Sequence, residues 1–238
     1  YIYLIIDMTQ QHFADKLINM YQNLPIKIID QDTICTKSSS GWRFQQILKL
    51  ASCNIVNTKW YLLLDSDFFL TRRCGFNELI INDRALIDLT TSQCLWSGKK
   101  KWCDNTYKII SPKSKNSNIP MMSVTPQIFN KFIVNDLLNY ISETYNENWC
   151  NYLNKHSFTE YILYWTYLTN NYNPSDYYIY EYKCAYAKDD DLRGCTNKFT
   201  RISGNRIEKS VKYIKNLHEN NTGPINDAFD KSFLENIE

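Results

Sequence analysis

Lys59-Trp60-Tyr61-Leu62-Leu63-Leu64-Asp65-Ser66-Asp67-Phe68-Phe69 decides how this chain is read. Five apolar or aromatic residues run directly into two carboxylates at i and i+2. The run is short, bounded by charge and free of Gly and Pro, which predicts a fully buried strand of a parallel sheet. Open α/β sheets bind their ligands beyond the carboxyl ends of parallel strands, and Asp65-Ser66-Asp67 lies at that end. Two carboxylates held close together repel unless a cation lies between them, so a hard divalent metal is the natural guest. The competing reading is a loop in which Asp-Ser-Asp merely caps the next element.

On the N-terminal side, residues 1–7 and 25–30 read as short strands and residues 11–22 as an amphipathic helix carrying Phe13, Leu17, Ile18 and Tyr21. After Ser38-Ser39-Ser40-Gly41, a helix is expected from Trp42 to about Ile55. Phe44, Ile47, Leu48, Ala51 and Ile55 form its stripe, while Arg43, Gln46 and Lys49 fall off it and are placed to face a ligand. Strand, helix, strand, helix, strand is the βαβ grammar of an α/β fold. The expected architecture is a mixed, mostly parallel central sheet flanked by helices.

On the C-terminal side, residues 72–89 mix charge with short apolar runs, and residues 97–118 read as a short strand between surface loops. Residues 120–126 read as a buried strand ending in a proline at the first turn of a helix over about 127–140. That helix would bury Phe129, Phe132, Ile133, Leu137 and Ile141. Ser157-Phe158-Thr159-Glu160 has the spacing of a capping box. It opens a helix apolar nearly all round, in which Glu160 is the one ionisable carboxylate. Glu160 is therefore either a cap or a carboxylate in a low-dielectric cleft, with a raised pKa suited to general-base work. Tyr164, Trp165 and Tyr167 on the same helix read as core, with stacking on sugar rings as the alternative. Strands are expected over 177–186 and 211–217, the latter followed by His218. Lys188-Asp189-Asp190-Asp191 reads as a solvated turn.

With 238 residues the chain suffices for one large domain. A net charge of +2 gives no footprint for nucleic acid. The 15% aromatic content, with abundant Asn, Ile and Lys, looks like a codon bias toward AT-rich triplets. Eight cysteines include no C-x-x-C pair, which argues against a zinc ribbon or thioredoxin-like site. Cys53, Cys150 and Cys184 sit in apolar segments and read as small core residues, so a reducing, cytoplasmic setting is expected. No stretch reaches the ~20 apolar residues of a membrane span, and no signal peptide opens the sequence. Its start at Tyr1 leaves room for a trimmed upstream region.

Asp65/Asp67, Glu160 and His218 have the chemistry to meet in one cleft. A metal held by Asp67 and an imidazole neutralises a diphosphate leaving group, while a separate carboxylate takes a proton from an attacking hydroxyl. That combination describes glycosyl transfer from a nucleotide sugar. The order of elements, with Gly41-Trp42-Arg43-Phe44-Gln45-Gln46-Ile47-Leu48-Lys49-Leu50, then the Asp65-Ser66-Asp67 strand, then Phe158-Thr159-Glu160-Tyr161, resembles the GT-A glycosyltransferases. Within them it is similar to a poorly characterised branch found in bacteria and large DNA viruses.

The resemblance implies a single GT-A domain over 1–238, with a nucleotide-sugar-binding half at 1–95 and an acceptor half at 96–238. It implies Asp65 and Ser66 at the nucleotide, Asp65 facing the ribose and bordering the metal, and Asp67 ligating Mn2+ or Mg2+. Gln46, Lys49 and Arg43 would face the donor, and Glu160 would be the base of an inverting reaction. His218 would be a further metal ligand. The donor would be UDP-linked, and the acceptor a glycan, a lipid-linked sugar or a protein hydroxyl. One alternative is a phosphohydrolase of the haloacid dehalogenase type, with Asp65 as nucleophile and Mg2+ as partner. Phe69, where those enzymes carry Thr or Val, and the two strand-helix units before the motif speak against it. The other alternative is a non-catalytic nucleotide-sugar-binding relative.

Overall fold

The computed structural model describes residues 1–36, 41–65, 68–70, 75–89, 97–113, 121–122, 126–181 and 199–201. It shows a mixed α/β protein whose strands, among these residues, form four small sheets. The chain divides into two compact units that interleave in sequence. One comprises Tyr1–Lys59, Trp96–Ser114 and Asn130–Asn170, and the other Trp60–Leu95, Lys115–Phe129 and Asn171–Glu238.

The first unit opens as expected. Strand β1 (Ile2–Ile6) runs parallel to β2 (Ile26–Asp30), and helix α1 (Gln11–Met20) connects them. Of the apolar side chains of α1, Ala14 is buried, whereas Phe13 and Met20 are exposed. A short helix, α2 (Gln31–Ile34), is capped by Asp30, whose carboxylate accepts from Asp32 N. It precedes α3 (Gly41–Ala51), which buries Phe44, Ile47, Leu48, Leu50 and Ala51. Cys53 follows in a 3-10 turn, fully buried, and its Sγ donates to Asn135 Oδ1 at 2.9 Å. Burial pushes this thiol up to about 12, against a lowering by nearby Lys131, so the fold offers no thiolate nucleophile there.

Where residues 97–118 were expected to be a strand among loops, Ser97–Thr106 is a helix, α5. Its buried positions Cys103 and Thr106, continued by Ile110 in the turn that follows, recur at i, i+3 and i+7, the period of a helix face. A second boundary also moves. Residues Gln127–Asn130 form strand β7, buried at every position, and helix α6 starts only at Lys131, running to Tyr145. The reason is Asn130, whose side chain accepts from Phe132 N (3.0 Å) and Ile133 N (3.4 Å) and so fixes the start of the helix there. Phe129 consequently packs in a strand, and Phe132 lies 60% exposed rather than in the core. Asn130→Ala is expected to cost about 1 kcal/mol in urea unfolding, the usual loss for an N-cap. A change within measurement error would mean the cap does not set this helix start.

Helix α7 (Trp149–Lys155), capped by Asn148, and α8 (Glu160–Asn171) complete the unit. Cys150 on α7 forms a disulfide with Cys35, 115 residues away, rather than acting as a core thiol.

The second unit holds β3 (Trp60–Leu63), paired with β7, and a three-stranded sheet ordered β5 (Ile80–Ile81), β6 (Arg84–Asp88), β8 (Tyr178–Glu181). A short helix, α4 (Phe76–Leu79), leads into β5. Strands β5 and β6 make an antiparallel hairpin whose two loop residues, Asn82 and Asp83, both take positive φ. That is the turn matching strand twist, and Asn and Asp tolerate it best after Gly. Strands β6 and β8 are parallel. Strand β4 (Phe68–Leu70) pairs antiparallel with β9 (Phe199–Arg201). Trp60 packs edge-on against Tyr178, whose hydroxyl donates to Ile128 O at 2.9 Å, tying β8 to β7.

Candidate functional site

Each unit carries part of the expected chemistry. In the second unit, Trp60, Tyr61 and Leu63 of β3 are buried and Leu62 is half-buried, and the chain emerges at Leu64, which is 45% exposed. Asp65, next in line and half-buried, is the first carboxylate beyond the strand end. It offers a hard oxygen of the kind Mn2+ or Mg2+ takes. Ser66, Asp67 and His218 lie outside the described residues, as do Asp189 and Asp190. Among the described residues, no three His, Cys, Asp or Glu side chains cluster as a metal site.

In the first unit, Glu160 is the first residue of α8, not the third. A capping box needs its glutamate at the third helical position to reach back to the cap, so this carboxylate serves another purpose. It is 1% exposed and accepts from Lys49 Nζ at 2.9 Å, the lysine being 11% exposed. Lys49 Nζ also reaches the Tyr161 hydroxyl at 3.4 Å and lies 5.0 Å from that ring's centroid. A buried carboxylate is tolerated when a cation and donors compensate it, and Lys49 supplies both. The Glu160 entry is held from a third helix as well: Thr159 N donates to Thr106 Oγ1 at 3.1 Å, and Asn105 Nδ2 donates to Ser157 Oγ at 3.3 Å.

The two other residues expected to face the donor are placed differently from each other. Gln46 is 4% exposed, and its Nε2 donates to Trp42 O one turn back, at 3.2 Å. It is part of the core side of α3 rather than of an open face. Arg43 is half-buried, and its Nη1 donates to Asn154 O at 3.4 Å. Asn154 in turn approaches both sulfurs of the Cys35–Cys150 disulfide. The aromatic residues of α8 are core: Tyr164 is 0%, Trp165 5% and Tyr167 8% exposed. The Tyr164 hydroxyl accepts from Asn130 N at 3.2 Å.

The sequence reading missed the pair formed by Trp42 on α3 and Trp102 on α5. Their rings stack with centroids 5.7 Å apart and planes 27° apart, and Trp42 is 47% exposed. The signal was weak, because Trp102 lay in a segment read as strand and loop. It also missed Thr106, whose role depends on a contact 53 residues away.

No helix among the described residues is long and apolar enough to cross a membrane. The model of a family described as a family of unknown function, DUF6492, matches residues 1–197. None of the curated proteins and none of the solved structures compared with the chain matches it.

Proposed function

We propose that this chain, which belongs to the DUF6492 family of unknown function, is a metal-dependent glycosyltransferase of GT-A type. It moves a sugar from a nucleotide-diphosphate donor, UDP-linked by expectation, to a hydroxyl acceptor. The observation that carries the reading is the Asp65 carboxylate emerging at the end of the buried strand β3, the position at which α/β sheets bind ligands. In this reading Asp65 meets the donor ribose beside the metal, and Asp67 ligates Mn2+ or Mg2+, with His218 as a further ligand. Metal at the diphosphate acts as a Lewis acid on the departing group.

The proton from the acceptor hydroxyl goes to Glu160, which Lys49 holds in one position and keeps charge-compensated. Supporting this assignment, Lys49 and Glu160 belong to the two sequence blocks that carry the GT-A resemblance. Their contact spans 111 residues of chain. One observation favours a second reading, a nucleotide-sugar-binding relative without turnover: at 1% exposure, Glu160 is as deep as a purely structural ion pair.

A thermal-shift panel of UDP-, GDP- and ADP-sugars, with and without Mn2+, tests the reading. A donor at about 100 times its Kd adds about 2.7 kcal/mol, which for a chain of this size raises the melting midpoint by roughly 5–10 °C. The shift is expected only with metal present, and Asp67→Ala is expected to abolish it. A metal-independent shift, or one that survives in Asp67→Ala, would remove the clamp assignment.

A further inference from the structure

An indole combines an apolar face with a polar N–H, so an exposed one offers a contact surface for a ligand that is apolar on one face and polar at its rim. Trp42 keeps 47% of its surface exposed although it is stacked on Trp102. The stack fixes the indole from one side, so its outer face is presented rigidly rather than swinging on a free side chain.

The pair does not stand alone. Seven residues separate Trp42 from Lys49, two helical turns, so the two side chains leave α3 on nearly the same line about 10 Å apart. Trp102, Asn105 and Thr106 likewise fall on one face of α5 at i, i+3 and i+4. Thr106 and Asn105 are the groups that hold the entry to α8, at Thr159 and Ser157. The same three helices of the first unit therefore carry the indole pair and the Lys49–Glu160 pair. The same face of α5 and the entry to α8 also carry polar groups. Asn105 is half-buried and Ser157 is exposed.

We infer that the Trp42–Trp102 pair is a stacking platform for a pyranose ring of the acceptor, making the acceptor a saccharide rather than a protein hydroxyl. A pyranose presents an apolar C–H face and a rim of hydroxyls. The first suits an indole and the second suits the amide of Asn105 and the hydroxyl of Ser157. The separation of about 10 Å along α3 exceeds one sugar ring, so the acceptor extends beyond a monosaccharide. The word acceptor rests on the glycosyltransferase reading; the saccharide platform itself does not.

The test uses the full chain and tetrasaccharides of glucose, N-acetylglucosamine, mannose and galacturonic acid, followed by saturation-transfer NMR and tryptophan fluorescence. At least one is expected to bind and quench the indole signal. Trp42→Ala is expected to weaken that binding at least tenfold, and Trp42→Phe to weaken it less. The metal-dependent UDP-sugar thermal shift is expected to stay unchanged in both variants. The inference is overturned if no tetrasaccharide binds the unaltered protein, or if Trp42→Ala binds as tightly as the parent. It is also overturned if Trp42→Ala loses the nucleotide shift, because the platform would then take the base. Sugar binding that depends on Trp42 in a protein with no nucleotide shift keeps the platform and removes the transferase reading, so the two failures are distinguishable.

Discussion

Replacing Lys49 by methionine is expected to cost about 3–5 kcal/mol of folding stability, the loss seen when one partner of a buried ion pair is removed. The size follows from the burial. Glu160 is 1% and Lys49 11% exposed, with Nζ and Oε1 2.9 Å apart, so water cannot screen the carboxylate once the ammonium is gone. A solvent-exposed pair would contribute less than about 1 kcal/mol. Methionine retains most of the lysine stem's volume, so lost packing is a minor part of the effect. The decisive comparison is the double variant Lys49→Met/Glu160→Leu. Removing both charges also removes their desolvation cost, and such replacements are often neutral. The double variant is therefore expected to recover most of the loss in urea unfolding. A single-variant loss below about 1 kcal/mol, or a double variant as unstable as the single, would show that charge compensation is not what Lys49 contributes.

That pair also shows where sequence reading stops. Lys49 and Glu160 were both picked out, but for separate reasons, and nothing in a helical stripe says that two residues 111 positions apart will meet. The local features were legible. The apolar runs and bounds of β1, β2 and β3 and the 3.6-residue stripe of α3 are properties of short windows, and each element formed close to its expected place.

Errors arose where two local signals competed. In residues 120–145, Pro126 suggested the first turn of a helix, but Asn130 is the better cap, and Gln127-Ile128-Phe129 fills a buried strand instead. In α5 the lysine-rich composition masked a helical face at Cys103 and Thr106. The hairpin at Asn82-Asp83 was passed over because Asn-Asp lacks the glycine that marks a two-residue turn, although both residues take positive φ. The Cys35–Cys150 pairing was not legible at all, because eight cysteines without a motif permit many pairings. The burial of α1 is a subtler case. Its apolar stripe is real, yet a stripe says only which face is apolar and not whether anything covers it, and Phe13 remains 58% exposed.

Glu160→Gln is expected to lower turnover by about 10²–10⁴-fold while leaving metal-dependent nucleotide binding intact, the range a positioned general base contributes. The substitution is nearly isosteric, and the amide oxygen still accepts from Lys49 Nζ at the position Oε1 now holds. What disappears is the negative charge that, in the proposed reading, receives the acceptor's proton. Stability falls too, because Lys49 loses its counter-charge, but by less than in Lys49→Met: the lysine is the more exposed partner and keeps its hydrogen bond. Turnover, read as donor consumption with and without saccharide acceptor, therefore has to be measured well below the melting midpoint of the variant, where both proteins are folded. The comparison with Lys49→Met separates base from scaffold. If Glu160 is the base and Lys49 positions it, Glu160→Gln loses turnover out of proportion to its stability loss. In the scaffold case the two variants lose turnover in the order of their stabilities, and Glu160→Gln retains most of it. Turnover within about threefold of the parent in folded Glu160→Gln would be less than 1 kcal/mol of barrier, too little for a general base, and would remove Glu160 from the chemistry.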